Sequence, residues 1–590
     1  MCDMSRLEEF LLGRRFLALK ILLSAVFALA YELRRLHVSQ ENLLLPWSWR
    51  WVASDDSFDV SLRFVKTILD TGWVAENPYL GAPFRAEYYD FPQAFLRTFD
   101  VLLIKILALF SQDAVLVANL FFLTTGVLIA VIAFLSLRAM GIADLPAMAG
   151  GQLYAFLPFF FQRNLEHGSL LAYEFLPLAV LLCLWIYEGK LKEKKSRLWA
   201  VFFCLLIGST GGGYWQAFAC FALVTAGCLA ALDNGRLKAA LPAVSCVAVI
   251  LSVFALSMAP CALYRAEHGK NPNLVSAREA LEADIYGLKV TQMLLPDIRG
   301  EEGGWKGKIS RYEETTPLVN ENRTSYLGQI GSLGFLLSLL MVLGWRLQGE
   351  PGKRLFFLAR LELSALLLAM IGGFYTLGAV FWAPAPMLRG LNRISVLIAF
   401  LSLAFFLILC QHVLDKIKEQ RLRYAGGMFC LLAFLGLGLY FQFPKGFAFP
   451  YEAIKADFES DRSFALSIEA EAGEGAMIYQ LPYHPYPEAG PAERMRDYHL
   501  MAPYFHTATL RWSYGAMTGR PAGLWQEKTA ALPLPERMAA VREAGFSGVY
   551  IDRRAYREDE LRQVEGTLDK LLGTKERFSA NGNLGYWKLP

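Results

Sequence analysis

Predominantly apolar runs, most of them long enough to cross a bilayer, recur from the N-terminal end of the chain to about residue 440 and then stop. A hydrocarbon layer ~30 Å thick takes about 17–25 helical residues to span. Inside it each backbone N–H and C=O must be paired within its own segment, so each run is expected to be a helix. We count about eleven runs, at 16–33, 114–136, 143–161, 170–187, 198–209, 214–232, 239–260, 329–345, 362–382, 394–413 and 425–442. The run 198–209 is short and is parted from the next only by Gly208-Ser-Thr-Gly-Gly-Gly213, as in a tilted or broken helix. Only 19% of the 590 residues are charged, against about 25% in soluble proteins, and the deficit falls on residues 1–442. Residues 443–590 have ordinary soluble composition. The expected fold class is a polytopic α-helical membrane protein of about eleven transmembrane helices, with a C-terminal α/β domain.

Basic residues in the short loops set the orientation. Lys190, Lys192, Lys194, Lys195 and Arg197 form one cluster, and Arg236 and Lys238 a second. Arg346, Lys353 and Arg354 form a third, and Lys416, Lys418, Arg421 and Arg423 a fourth. With the N-terminus cytoplasmic, all four fall on the cytoplasmic face, as expected of a bacterial inner-membrane protein. Adding or losing one span would break that agreement. Arg14, Arg15 and Lys20 stand at the start of the first run and no small-residue cleavage site follows it, so it reads as a retained helix. Residues 34–113, 261–328 and the domain 443–590 then lie outside. The first of these loops has helical, amphipathic spacing at 59–69 and 99–110, read as two helices lying along the membrane surface. In the tail, 476–481 and 548–552 read as strands, and 535–544 and 558–572 as helices.

The charged residues at the outer face are the candidates for chemistry. Adjacent carboxylates at Asp55 and Asp56 repel, which raises the pKa of one unless a cation is near. Such a pair suits a general base or a hard divalent cation, magnesium or manganese, and equally the N-cap of the helix that follows. Glu87, Tyr89 and Asp90 alternate acids with rings, as on a sugar-binding surface or in an interfacial aromatic belt. Arg163, Glu166 and His167 stand between two spans, and Glu174 falls inside one, where pairing with Arg163 is an alternative to function. Asp297, Arg299, Glu321, Asn322 and Arg323 flank the second long loop. Arg389 and Arg393 sit where arginine clamps a lipid-linked phosphate or snorkels to head groups.

Other signals are missing. There is no Walker loop, no Rossmann fingerprint and no CxxC or HExxH pattern, so ATP is not expected to drive this chain. His484, His499 and His506 share the tail without ligand spacing. The nine cysteines all lie at or before Cys430, leaving the tail without a disulfide. The net charge of +4 sits in the topology clusters and does not form a nucleic-acid patch. Asn322-Arg-Thr324 is a glycosylation sequon, relevant only in a eukaryotic secretory pathway.

The layout resembles the GT-C superfamily of membrane glycosyltransferases, and its poorly characterised bacterial members more than any defined enzyme. The stretches that carry the likeness are Asp55-Asp-Ser-Phe58, Asn77-Pro-Tyr-Leu-Gly-Ala-Pro83, Tyr89-Asp-Phe-Pro92, Ser325-Tyr-Leu-Gly-Gln-Ile-Gly-Ser-Leu-Gly334 and Leu391-Asn-Arg-Ile-Ser395. The resemblance implies a polyprenyl-phosphate-linked sugar as donor and a glycan, lipid or protein as acceptor, with inverting transfer at the outer face. It implies Asp55 or Asp56 as the base, and a substrate site drawn from Glu87, Tyr89, Asp90, Glu166, His167, Asn322, Arg323, Tyr326, Arg389 and Arg393. A divalent cation is an open requirement.

Two other classes fit the same features. One is a transporter or flippase for a lipid-linked sugar, which would concentrate ionisable residues near the bilayer midplane. The other is a non-catalytic assembly factor binding polysaccharide through Leu481-Pro-Tyr-His-Pro-Tyr-Pro487 and Arg511-Trp-Ser-Tyr-Gly515, segments that equally suit a lid over the membrane site. The topology makes a direct prediction. A reporter fused after Pro590 is expected to be active only outside the cytoplasm, and a cytoplasmic signal would overturn the orientation.

Overall fold

A computed structural model describes the chain apart from residues 1–15, 48–56, 164–166, 274–276, 297, 299–302, 319, 384, 387, 443–448, 488 and 574–576. The longer helices before the tail are α1 (Leu17–Arg35), α2 (Ser57–Thr71), α3 (Thr98–Leu107), α4 (Ala114–Ala139), α5 (Asp144–Ala155), α6 (Leu176–Tyr187), α7 (Lys194–Gly208) and α8 (Tyr214–Asn234). They continue with α9 (Leu241–His268), α10 (Gly328–Leu343), α11 (Gly349–Ala369), α12 (Phe374–Trp382), α13 (Ser395–Asp415) and α14 (Gln420–Ala433).

Polarity in this bundle is turned inside out relative to a soluble protein. On α1 the buried stripe is Lys20, Ser24, Ala28 and Glu32, at helical i, i+4 spacing, while Leu22, Leu23, Val26 and Phe27 face outward. Ser24 accepts a hydrogen bond from Gln152 at 2.9 Å. The same outward apolar face appears on α7 (Leu198, Trp199, Phe202, Leu205) and α12 (Leu377, Val380, Phe381, Trp382). Such surface is unfavourable in water and costs nothing against lipid. At the centre, α13 is buried around its whole circumference from Ser395 to Ile408, as an all-round apolar helix must be. Among the described residues four segments are long and apolar enough to cross a membrane by themselves: Ala114–Ala139, Tyr214–Asn234, Leu237–His268 and Leu391–Asp415. The chain is a helical polytopic membrane protein.

The remaining predicted runs are shorter or divided. The run 362–382 is two helices: α11 starts well before it and ends at Ala369, and Gly372, at φ +70°, turns the chain into α12. Run 143–161 breaks after Ala155, and the chain restarts at Pro158 in the short helix Pro158–Arg163. Run 170–187 breaks before Leu176. Hydropathy is blind to the breaks in 362–382 and 143–161 because the breaking residues are themselves apolar or neutral. Arg354 pairs with Glu188 at 2.6 Å, Arg360 donates to Asp233 at 2.9 Å, and Arg138 pairs with Asp144 at 2.7 Å. Three of the basic loops therefore share one end of the bundle.

At the other end the first long loop and the tail fold together. The helices α2 and α3 coincide with the two helices expected at 59–69 and 99–110. Between them β1 (Glu76–Asn77) and β2 (Ala86–Glu87) form an antiparallel pair. Further on, β3 (Ala277–Arg278) pairs with β4 (Ala385–Pro386). The tail opens with α15 (Tyr451–Ala472) and carries a five-stranded sheet of β5 (Met477–Leu481), β6 (Arg511–Trp512), β7 (Phe546–Asp552), β8 (Arg577–Phe578) and β9 (Leu584–Lys588). Its order is β6-β5-β7-β9-β8, with β6, β5 and β7 parallel and β9 antiparallel to β7 and β8. Three helices, α16 (Pro521–Ala530), α17 (Leu534–Glu543) and α18 (Glu558–Leu572), complete the α/β tail.

The open edge of β6 is covered by the first loop. Leu80 bridges Trp512 in parallel register, Trp512 N–H donates to the Tyr79 carbonyl at 2.8 Å, and Ala82 N–H donates to the Trp512 carbonyl at 3.1 Å. Gly81, at φ +78°, makes the turn that lets this segment return to β2; a Cβ there would meet the Ala86 amide at 2.8 Å. Leu80, Ala86, Tyr88 and Phe91 of the loop share one core with Tyr486, Tyr504, Trp512, Tyr514 and Tyr550 of the tail. Tyr504 donates to Asp70 of α2 and accepts from Asn77, both at 2.8 Å. Tyr486, Trp512 and Tyr514 are thus core residues and not an exposed polysaccharide platform. Trp512→Ala is expected to destabilise this joint by about 3–5 kcal/mol, as for an aromatic removed from a core. A matching drop in the denaturant midpoint and faster proteolysis of the loop would report it.

Candidate functional site

The acidic and aromatic residues of the first loop meet the C-terminal end of α9 and the tail. The sequence reading ends a span at 260, but α9 continues through Pro260 to His268 and carries Tyr264 to the loop. Tyr264 donates to Glu87 at 2.5 Å and stacks on Tyr89 with ring centres 4.4 Å apart. His268 stacks on the far side of Tyr264 at 4.2 Å. Tyr89 donates to Glu76 at 3.0 Å, and Arg85 lies 2.9 Å from Glu76 and 3.5 Å from Glu87. Asp90 is engaged differently. It accepts two hydrogen bonds from Arg520 of the tail, at 2.5 and 2.8 Å, and one from Asn271 at 2.9 Å. Burial pushes the Asp90 carboxyl up, but the hydrogen bonds from Arg520 and Asn271 outweigh it and hold it below the ordinary aspartate value. Asp90 is a clamp between loop and tail, with Glu87 and Tyr89 beside it on an acidic, aromatic surface.

Beneath this surface Arg63 of α2 is 2% exposed, with its guanidinium 4.1 Å from the Tyr88 ring centre and 6.0 Å from that of Tyr486. Among the described residues no carboxylate pairs with it. Tyrosine faces carry the charge in place of an acid.

A second assembly draws on three segments distant in sequence. Glu321 lies 2.8 Å from Arg163 and is held by Arg393 through contacts of 3.0 to 3.1 Å. Burial pushes the Glu321 carboxyl up, yet the charges of Arg393, Arg163 and His167 overcome this and hold it far below the usual carboxylate range. Two guanidiniums share one carboxylate. The Arg393 guanidinium stacks 4.5 Å over Tyr214, whose hydroxyl accepts from the Arg389 and Gly390 amides at 3.2 and 3.3 Å. The Arg389 guanidinium lies 4.7 Å over Tyr286 and is half-buried. Asn322 is fully buried, accepting from Lys289 N–H at 2.9 Å and donating to the Gly287 carbonyl at 2.7 Å. Its sequon is therefore no glycan acceptor in the folded chain. Arg323 is half-buried beside it, and Tyr326 is buried.

Arg163 pairs with Glu321 and leaves Glu174 to another partner set. Arg97 and Asp100 form an ion pair at 2.7 Å on α3. The Thr210 hydroxyl, presented by the Gly-rich turn between α7 and α8, lies 3.0 Å from Asp100 and 3.4 Å from Glu174. Both carboxylates are 1% exposed.

Asp55, Asp56, Glu166, Asp297 and Arg299 lie outside the described residues. Among the described residues no group of three His, Cys, Asp or Glu side chains converges as a metal site. Glu87 and Asp90 are already engaged by Arg85, Tyr264, Arg520 and Asn271, so nothing here assigns the divalent cation a place. Sequence reasoning missed Tyr264, His268, Asn271, Arg520, Tyr214 and Arg63. The i, i+4 spacing of Tyr264 and His268 was the one available signal, and it required carrying the helix past Pro260.

The Asp90–Arg520 clamp sets a pH dependence. A carboxyl with a depressed folded pKa contributes stability that is full above its unfolded value, about 3.9, and is lost as pH falls through the folded value. The gap in melting temperature between wild type and Asp90→Asn is therefore expected to stay constant between about pH 5 and 8 and to close below about pH 4. A gap that persists unchanged in acid would rule out the charge-based clamp.

No family model matches the sequence, and no curated protein matches it. Among solved structures, the chain is similar to the Archaeoglobus fulgidus oligosaccharyltransferase, crystallised as a complex with Zn and sulfate. That likeness has a TM-score of 0.42 at 12% identity and covers 96% of this chain and 73% of that one. At that distance the function has to be argued from this chain's own residues.

Proposed function

We propose that the protein is a membrane glycosyltransferase that moves a sugar from a polyprenyl-phosphate donor to a glycan, lipid or protein acceptor at the outer face, with inversion. The observation that carries this reading is the convergence of two guanidiniums, Arg163 and Arg393, on Glu321. A phosphate is the group that such guanidiniums hold best. In the proposed step Asp55 or Asp56 takes the proton of an acceptor hydroxyl. The freed oxygen pair attacks the anomeric carbon, the bond from that carbon to the phosphate oxygen breaks, and the lipid phosphate leaves with the bonding electrons. Charge builds on that leaving oxygen, so nearby guanidiniums lower the barrier more than a proton donor would. Arg393, Arg163 and the half-buried Arg389 are the groups assigned to it. Glu87 and Tyr89 are assigned to sugar hydroxyls and ring faces.

A second reading has support of its own. Glu362 of α11 is fully buried and accepts from Ser402 of α13 at 2.5 Å, and Glu32 is fully buried in α1. The sequence reading placed charge at the outer face; these two carboxyls lie inside helices of the bundle, as in an ion-coupled carrier. Reconstitution with a polyprenyl-phosphate sugar separates the two. Transfer by wild type is expected to fall by about 100-fold or more in Asp55→Asn or Asp56→Asn, the usual scale for loss of a general base. Undiminished transfer in both variants would remove the base assignment. Movement of lipid-linked sugar across vesicles without transfer, abolished in Glu362→Gln, would establish the carrier.

A further inference from the structure

At the end of the bundle that gathers the basic loops, two adjoining cavities of about 430 and 480 Å³ flank Asp144. The larger opens around Leu17 and Gly141, and the smaller lies between the start of α5, the end of α13 and the start of α14. Arg138, Asp144 and Gln411 form the wall they share, and the smaller one adds Lys418, Arg423 and Tyr424. Asp144 is already neutralised: Arg138 donates to it at 2.7 Å and the buried Lys20 ammonium pairs with it from the other side. Gln411 caps the Ala143 amide at 2.9 Å. Lys418 and Arg423 pair with no carboxylate among the described residues. Among the described residues the Arg423 guanidinium bonds the Ile417 carbonyl alone, at 2.9 and 3.3 Å. The smaller cavity thus holds three cations against one carboxylate that two cations already claim. The N-termini of α5 and α14, 12 and 14 residues long, add their positive dipole ends to it.

Its flanks are apolar. Leu145, Pro146 and Leu414 line it, and Leu422, Phe429 and Leu432 run exposed along α14 away from it. A polar cationic hollow at the foot of an outward apolar helix face matches a molecule with a phosphate at one end and acyl chains at the other. Basic pockets between spans at the cytoplasmic boundary are suited to such head groups. We propose that this cavity binds the phosphate of an anionic phospholipid head group, with Arg138, Lys418 and Arg423 as its ligands and the α14 face receiving a chain. The site is independent of the transfer chemistry at the opposite face.

The test uses the full-length protein in lipid nanodiscs and in detergent. Native mass spectrometry is expected to show a retained phosphatidylglycerol adduct, and the melting temperature to be higher in phosphatidylglycerol than in phosphatidylcholine. The Lys418→Ala/Arg423→Ala double variant removes two exposed cations outside any proposed catalytic group and is expected to bind phosphatidylglycerol about tenfold or more weakly, at roughly 1 kcal/mol for each cation. A second variant, Leu422→Ser/Phe429→Ser, is expected to lower retention of the lipid while leaving its salt dependence intact. Equal adduct and melting temperature in both lipids would overturn the proposal. So would stabilisation by inorganic phosphate that matches that by phosphatidylglycerol, which would make the cavity a soluble-anion site.

Discussion

The half of this protein that holds the tail depends on one joint, the pairing of residues 79–82 with β6. An isolated parallel edge strand as short as Arg511–Trp512 leaves its outer hydrogen bonds open and its large rings half covered. The first loop closes both deficits at once, through main-chain bonds to Trp512 and by placing Leu80, Ala86 and Tyr88 in the tail's own core. The sheet and the loop are therefore one folding unit, although about 390 residues part Tyr88 from Ile478. The Asp90–Arg520 pair and the Tyr504 hydroxyl network add direction to a contact whose bulk is apolar.

That joint fixes α2 between the membrane bundle and the tail. Its Arg63 is buried under tyrosine rings, and its first turn follows directly on Asp55 and Asp56 in sequence. The proposed base is thereby tied to an element gripped from both sides. The cationic cluster around Glu321 is built by a different logic, in which a short helix, a long loop and the turn before α13 each supply one charged group.

Polarity inside the bundle tells the same story in the hydrocarbon. Lys20 and Ser24 of the stripe turn inward because lipid offers a charged or hydroxyl group no partner, whereas Asp144 and Gln152 do. The buried carboxyls Glu32, Glu174 and Glu362 were individually visible as acids in or beside apolar runs. Which of them found a partner was not, since Thr210 and Ser402 reach them from distant segments.

Apolar run length and loop charge determined, from the sequence alone, that the chain is a helical membrane protein with an α/β tail. Both are local properties of solvation: a run either survives in lipid or does not. The helices α2 and α3 and the helix 558–572 were legible for the same reason, since period and capping act over a few residues. Only the tertiary structure decided that run 362–382 is two helices, that α9 passes Pro260 to deliver Tyr264, and that Arg163 chooses Glu321 over Glu174. Those outcomes turn on contacts between segments far apart in the chain, where the energy of a pair depends on geometry that no window of sequence contains.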